Sequence, residues 1–203
     1  QALSQVDVLV VRSTKVTAQA CQSGENLGLI IRAGSGYNNV DVETASNRGV
    51  YVANCPGKNS TAVAELAVGL MLALDRRIAD NVEDARKGQW NKGLYGKSRG
   101  FQGRTVGLIG TGAIGMETAA RLRPFGVRLR AWSRSLTPEK AEALGLEFCA
   151  SPLELAASCD IVSLHLALSK ETRGLIGHEF LQAMQPGALL INTCRAEVVD
   201  QGA

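Results

Sequence analysis

A chain of 203 residues is long enough for one large domain or two small ones, and 45% hydrophobic with 20% charged residues is the composition of an ordinary globular protein. A net charge of +3 argues against a nucleic-acid partner, and the longest apolar run, Leu66 to Leu74, falls well short of the ~20 residues that cross a membrane. No signal-peptide pattern opens the chain, and five scattered cysteines with only two histidines give no metal-ligand spacing, so the expectation is a cytoplasmic protein with reduced thiols and no metal.

The first third alternates strand and helix signals. Residues 7–13 (DVLVVRS) read as a buried strand, TAQACQSG as a short helix and 28–34 (GLIIRAG) as the next strand, followed by a Gly-rich turn. VETASNRG is predicted helical up to Gly49, and VYVANCPG is a strand stopped by Pro56 and Gly57. Short apolar strands alternating with helices predict βαβ units and a parallel sheet. NSTAVAELAVGLMLALDRRI carries the small residues Ala62, Ala64, Ala67, Gly69 and Ala73 and is apolar nearly all round. That pattern predicts a buried, closely packed helix between two lobes. The polar, Gly-rich stretch IADNVEDARKGQWNKGLYGKSRG is the expected boundary, dividing the chain into 1–75 and 76–203. Trp90 within it reads either as a local anchor or as part of a subunit contact.

A second α/β pattern begins at Phe101. TVGLIG is a predicted strand and METAARLRPFG a helix, and between them Gly110, Gly112 and Gly115 spell G-x-G-x-x-G. In that context the motif is a dinucleotide fingerprint. Gly110 allows a tight turn, Gly112 lets the backbone approach a pyrophosphate, and Gly115 lets helix and strand pack closely. The first-turn N–H groups, at Ala113 and Ile114, then face the anion. The strand VRLRAWS follows, and it ends in Ser133, Arg134 and Ser135 where an NAD site usually has an acidic residue on the ribose. Serine and arginine accept a 2′-phosphate that a carboxylate would repel, so NADP(H) is the preferred cofactor and NAD(H) a possible one. Arg121, Arg123, Arg128 and Arg130 read as solvated flanks. Further on, TPEKAEALG is a helix, Ser151 with Glu154 forms a capping box, and 160–168 is a strand. ETRGLIGHEFLQAM is predicted helical, and GALLINTCR is the last strand.

Several ordered motifs together resemble the D-isomer-specific 2-hydroxyacid dehydrogenases: VRSTKVT, RAGSGYNNVDVETASNRGV, NCPGKNSTAVAEL, the glycine fingerprint, LHLAL with ETRGLI, and INTCRAEVVD. The resemblance implies an α/β fold of two Rossmann-like lobes with parallel sheets, a nucleotide-binding lobe plus an incomplete flavodoxin-like substrate lobe, with the active site in the cleft. It implies hydride transfer between a nicotinamide and C2 of a small 2-hydroxy or 2-keto acid. The phosphoglycerate-oxidising branch is the leading one; glyoxylate or hydroxypyruvate reduction is the alternative. It further implies a homodimer built on the nucleotide lobe.

Roles follow by resemblance. Arg195 matches the arginine that binds the substrate carboxylate and polarises the C2 oxygen. The backbone at Ser35 and Gly36 holds the same carboxylate, and Arg12 with Ser13 meets the far end of the substrate. Val63 lies beside the nicotinamide. His165, Leu166, Ala167 and Thr172 form the shell around adenosine and pyrophosphate, and Thr193 and Cys194 count among the cofactor contacts.

The chain also departs from the pattern. The family's acid–base histidine and its supporting glutamate lie downstream of the arginine, whereas this sequence stops at Ala203. The expectation is therefore a fragment with little activity alone, since a positioned general acid is typically worth ~10²–10⁴ in rate. Ala196 stands where a glycine is usual, with strain expected if the position needs φ > 0. A dinucleotide-sensing module of the corepressor kind and a degenerate non-catalytic relative are the competing readings.

Overall fold

The computed structural model describes residues 3–203. The chain folds as two compact units, Gln1–Asn59 and Ser60–Ala203.

The first unit is a three-stranded parallel sheet of β1 (Val8–Val11), β2 (Leu29–Arg32) and β3 (Tyr51–Asn54), in the order β1-β2-β3. Helices α1 (Ala18–Ser23) and α2 (Val42–Asn47) make the crossovers. Each starts on a side-chain cap: the Thr17 hydroxyl accepts from the Ala20 N–H at 3.3 Å, and the Asp41 carboxylate from the Thr44 N–H at 2.9 Å. Val11, Val16, Cys21, Leu27, Ile30, Val40, Ala45 and Val50 fill the core. The expected strand 7–13 is present, but it is buried on one face only. It is a sheet edge, and the two-residue period turns Leu9 and Val11 to the core while Val8 and Val10 stay exposed.

The second unit opens with three helices, α3 (Ser60–Asp75), α4 (Ile78–Arg86) and α5 (Lys92–Tyr95). Then come β4 (Thr105–Ile109), α6 (Ala113–Leu122), β5 (Arg128–Trp132), α7 (Pro138–Ala143) and β6 (Glu147–Phe148). The chain continues through α8 (Pro152–Ser158), β7 (Ile161–Leu164), α9 (His178–Ala183) and β8 (Leu189–Asn192). The sheet order is β6-β5-β4-β7-β8, and every pair is parallel. This is a doubly wound Rossmann sheet whose order reverses beside β4, which puts the ligand crevice at the C-terminal ends of β4 and β7.

β4 is buried along its whole length. Val106 and Leu108 point into a core shared with Ala67, Met71, Ala119 and Leu122; Ile109 points the other way, to Leu155, Leu164 and Phe180. Gly107 stands where α8 crosses the strand: a Cβ there would lie 2.4 Å from Leu155 Cδ2.

Two charged ties brace the opposite, N-terminal edge of the sheet. The buried Asp75 carboxylate takes the Arg104 guanidinium at 2.8 Å and the Gly100 N–H at 3.1 Å. Asp160, just before β7, takes the Thr105 N–H at 2.8 Å and Arg99 at 2.5 Å. Burial pushes the Asp160 carboxyl up, but these donors more than offset it and hold it below the usual carboxylate range.

The structure differs from the sequence reading in several further places. α3 is buried on one face, through Ala64, Ala67, Val68 and Met71, while Leu66, Leu70 and Leu74 are exposed. Ala64 and Ala67 on its buried face let it lie close against α6, so it belongs with the second unit, and the division falls before α3 rather than after residue 75. The expected linker 78–100 contains α4 and α5. Polar pairs hold it together: Arg77 with Asp80 at 2.8 Å, Lys87 with Glu83 at 2.5 Å, and Asp84 accepting from Asn91 and Tyr95. Finally, β7 stops at Leu164, and only His178–Ala183 of the predicted helix from Glu171 to Met184 is helical, because Gly174 at φ 65° turns the chain.

Candidate functional site

The C-terminal ends of β4, β5 and β7 open on one cleft of about 580 Å³ in the second unit. Its floor is the glycine turn between β4 and α6. Gly110 has φ +103°, and a Cβ there would sit 2.3 Å from the His165 carbonyl oxygen. Gly115 has no such backbone need, but its Cβ would sit 2.1 Å from the Gly110 carbonyl oxygen. The fold itself excludes a side chain at both. Gly112 is different: its φ is −73°, and a Cβ would meet no atom within 4 Å. The space beside it is open, as a backbone approached by a phosphate group requires. No side chain caps α6 at Gly112, so the first-turn N–H groups at Ala113 and Ile114 are left to an anion. A dinucleotide pyrophosphate fits this cradle.

The wall from β5 is Trp132, Ser133, Arg134 and Ser135. Arg134 is exposed, with Nη1 3.9 Å from Glu171 Oε2. The wall from β7 begins with His165, whose backbone N–H donates to the Ile109 carbonyl at 2.8 Å. Both His165 ring nitrogens are buried without a hydrogen-bond partner, and burial pushes its pKa down to about 4. The ring is thus a neutral imidazole offering one donor and one acceptor. Its two ring nitrogens are buried polar atoms that the fold leaves unpaired beside the cleft.

Leu166 and Ala167 follow, and Thr172 ties their loop. Its hydroxyl donates to the Ala167 carbonyl at 2.7 Å and accepts from the Ser169 N–H at 2.8 Å. The Ser169 hydroxyl donates to Glu171 Oε2 at 2.6 Å, the main reason the Glu171 carboxyl lies below its ordinary range.

Nine of the expected cofactor residues therefore share this cleft: Gly110, Gly112, Ser133, Arg134, Ser135, His165, Leu166, Ala167 and Thr172. Ala113, Ile114 and Gly115 form the helix start beneath it. Val63, in the first turn of α3, does not line it. Thr193, Cys194 and Arg195 follow β8 and also lie outside its lining. There, Asn192 Nδ2 donates to the Arg195 carbonyl at 2.9 Å, and Asn192 Oδ1 accepts from the Cys194 N–H at 3.0 Å. Thr193 Oγ1 is buried with no partner. Ala196 carries no left-handed strain: among the described residues the only non-glycine with positive φ is Arg77.

In the first unit, Arg12 and Ser13 follow β1, and Ser35 and Gly36 follow β2, so all four stand at the C-terminal edge of that sheet. Asn54 pins the Ser35 carbonyl at 2.6 Å, and Asn39 pins the Thr14 carbonyl at 2.7 Å. Sequence reasoning missed Thr111, Trp132, Ser169, Glu171 and Leu175 as cleft residues. Glu171 and Leu175 lie in the ETRGLI motif itself, which was the signal available.

Residues 68–203 match the family model described as the D-isomer specific 2-hydroxyacid dehydrogenase, NAD binding domain. The chain belongs to this family. It is 41% identical over 203 residues to the hydroxypyruvate reductase of Thermotoga maritima, and 37% identical over 202 residues to the D-3-phosphoglycerate dehydrogenase of Methanocaldococcus jannaschii. Each match takes in 99% of this chain, but only 64% of the first relative's length and 38% of the second's. A solved NAD+-bound 3-phosphoglycerate dehydrogenase from Entamoeba histolytica matches 99% of this chain with 60% of its own, at a TM-score of 0.82 and 31% identity. The second unit thus carries the nucleotide-binding domain of a 2-hydroxyacid dehydrogenase.

Proposed function

We propose that this chain supplies the dinucleotide cradle and the carboxylate-binding arginine of an oxidoreductase acting at C2 of a small 2-hydroxy or 2-keto acid in the cytoplasm, with NADP(H) preferred and NAD(H) accepted. The observation that carries this reading is Gly112: it is the fingerprint glycine whose missing side chain the fold does not need and a ligand does. The cofactor, when bound, supplies or accepts hydride. The protein's part is to hold it. The α6 N-terminus takes the pyrophosphate, His165 with Leu166 and Ala167 forms the opposite wall, and Ser133, Arg134 and Ser135 meet the ribose end. Arg195 presents a planar fork of donors to the substrate carboxylate. Arg12, Ser13 and the Ser35–Gly36 backbone supply the substrate's other polar contacts. 3-Phosphoglycerate is the leading substrate, with Arg12 taking its phosphate. Hydroxypyruvate or glyoxylate is the second reading, favoured by the absence of a carboxylate at the end of β5.

The nucleotide unit also exposes Ile78, Val82, Trp90 and Leu94, and we assign the contact of a homodimer to this unit. Titrating the chain with NADPH and with NADH, following Trp132 emission in a Trp90→Phe background, tests the cofactor. NADPH is expected to bind tighter. Tighter binding of NADH would overturn the preference, and binding of neither would overturn the cradle.

A further inference from the structure

We propose that Glu171 is a selectivity residue of this cleft: its carboxylate competes with a ribose 2′-phosphate for the Arg134 guanidinium, and so sets how strongly the protein distinguishes phosphorylated from unphosphorylated adenosine ribose. The proposal rests on the reading of the cleft as a dinucleotide site.

Three observations carry it. First, Arg134 and Glu171 are the only charged side chains among the described residues lining the cleft. They arrive on separate loops, one after β5 and one in the turn after β7, and meet at 3.9 Å. Second, the carboxylate is held in place. The Ser169 hydroxyl donates to Oε2 at 2.6 Å, and Thr172 Oγ1 fixes the same loop through the Ala167 carbonyl and the Ser169 N–H. Third, both partners are solvent-exposed, at 71% for Arg134 and 63% for Glu171, so an arriving ligand can displace the pair without opening the fold. The other cation nearby, Lys140, is directed at the Ser135 carbonyl at 3.4 Å and adds to the field an anion would meet.

A 2′-phosphate carries about −1.5 to −2 charges near neutral pH and seeks an arginine fork. In this cleft it finds the fork already facing a fixed negative charge, which both occupies Arg134 and repels the newcomer. An unphosphorylated ribose meets neither penalty. Glu171 therefore moderates a preference that Arg134 creates. Exposed pairs of this kind are weak and salt-screened, so the effect is a modest factor of about three to ten rather than a switch.

The test uses 2′,5′-ADP and 5′-AMP, which differ only in the 2′-phosphate, titrated against the full chain by Trp132 emission in the Trp90→Phe background. Glu171→Gln keeps an acceptor for Ser169 and removes the charge. It is expected to tighten 2′,5′-ADP about three- to tenfold at low salt, to leave 5′-AMP within about twofold, and to lose most of that gain at high salt. Arg134→Ala is the companion variant and is expected to weaken 2′,5′-ADP alone. If Glu171→Gln leaves the ratio of the two affinities unchanged while Arg134→Ala lowers it, the competition is refuted and the cofactor reading stands. If neither variant moves the ratio, or the chain binds neither nucleotide, the cofactor reading falls and the proposal falls with it.

Discussion

Alanine introduced in turn at Gly115 and Gly112 should separate what the fold requires of the fingerprint from what the ligand requires. At Gly115 the new Cβ would lie 2.1 Å from the Gly110 carbonyl oxygen, far inside the 3.0 Å below which real Cβ atoms essentially never approach a neighbour. The obstacle is backbone, so α6 has to move away from the turn, and overpacking of this kind costs about 1–3 kcal/mol. For a chain of this size that lowers the melting temperature by roughly 2–12 °C, at about 2–4 °C per kcal/mol. At Gly112 the same methyl enters open space with φ at −73°, so stability should stay within about 1 kcal/mol. The methyl nevertheless stands where the pyrophosphate has to approach, and NADPH affinity should fall at least tenfold, about 1.4 kcal/mol. Thermal melts by circular dichroism and dinucleotide titrations on both variants check the pair. A Gly112→Ala protein that melts as low as Gly115→Ala, or that binds NADPH as tightly as the parent, would refute the reasoning.

Two further outcomes concern stability. The His165 ring is held near a pKa of about 4, below the ~6.5 of an exposed histidine, because burial disfavours its charged form. Unfolding lets it take up a proton, so its contribution is fully present above about pH 6.5 and is lost as pH falls from there toward 4, on the order of 3 kcal/mol in all. Urea titrations at both ends of that window should show His165→Leu losing less on acidification than the parent; equal losses would contradict the buried, neutral ring. At the other end of the sheet, the Asp75 and Arg104 side chains are only 4% and 6% exposed. Asp75→Asn leaves the guanidinium buried without its counter-charge and should cost about 3–5 kcal/mol, read as a shift in urea midpoint at constant slope. A loss under about 1 kcal/mol would mean that water or neighbouring carbonyls already compensate Arg104.

The features that local pattern encodes are readable from the chain. β4 and β7 fall inside apolar runs because a strand buried on both faces needs one, whereas β5 is legible from the alternation of Arg128 and Arg130 with buried Leu129 and Ala131. The capping box at Ser151 is present, with a variation. The Ser151 hydroxyl accepts from the Glu154 N–H at 3.1 Å, but the Glu154 carboxylate reaches one residue further back, to the Ala150 N–H at 2.8 Å. What cannot be read is set by partners distant in sequence. Asp75 and Arg104 are 29 residues apart, and nothing in either segment announces the other. α4 reads as linker because its order comes from charge pairs around only two exposed apolar residues, Ile78 and Val82. The open face of α3 is equally invisible, since an all-apolar helix does not say which side its neighbour takes. In the cleft, glycine spacing foretells the floor. The ETRGLI motif marks Glu171 as part of the region, but its pairing with Arg134 is not legible, because it depends on a loop folding back toward the end of β5.

The two ends of the cleft carry different kinds of residue, and this bears on how freely the protein can change. Gly110, Gly115 and the His165 backbone are interlocked at contact distance, so the phosphate turn cannot vary without unfolding its surroundings. Arg134, Ser135 and Glu171 are exposed, and substitutions at such positions usually move stability by no more than about 0.5 kcal/mol. Mutational drift is therefore barred at the glycine turn and nearly free at the end of β5. On the proposed cofactor reading, a lineage carrying this domain could exchange one cofactor preference for the other by single substitutions, each intermediate still folded, while the glycine turn stays fixed.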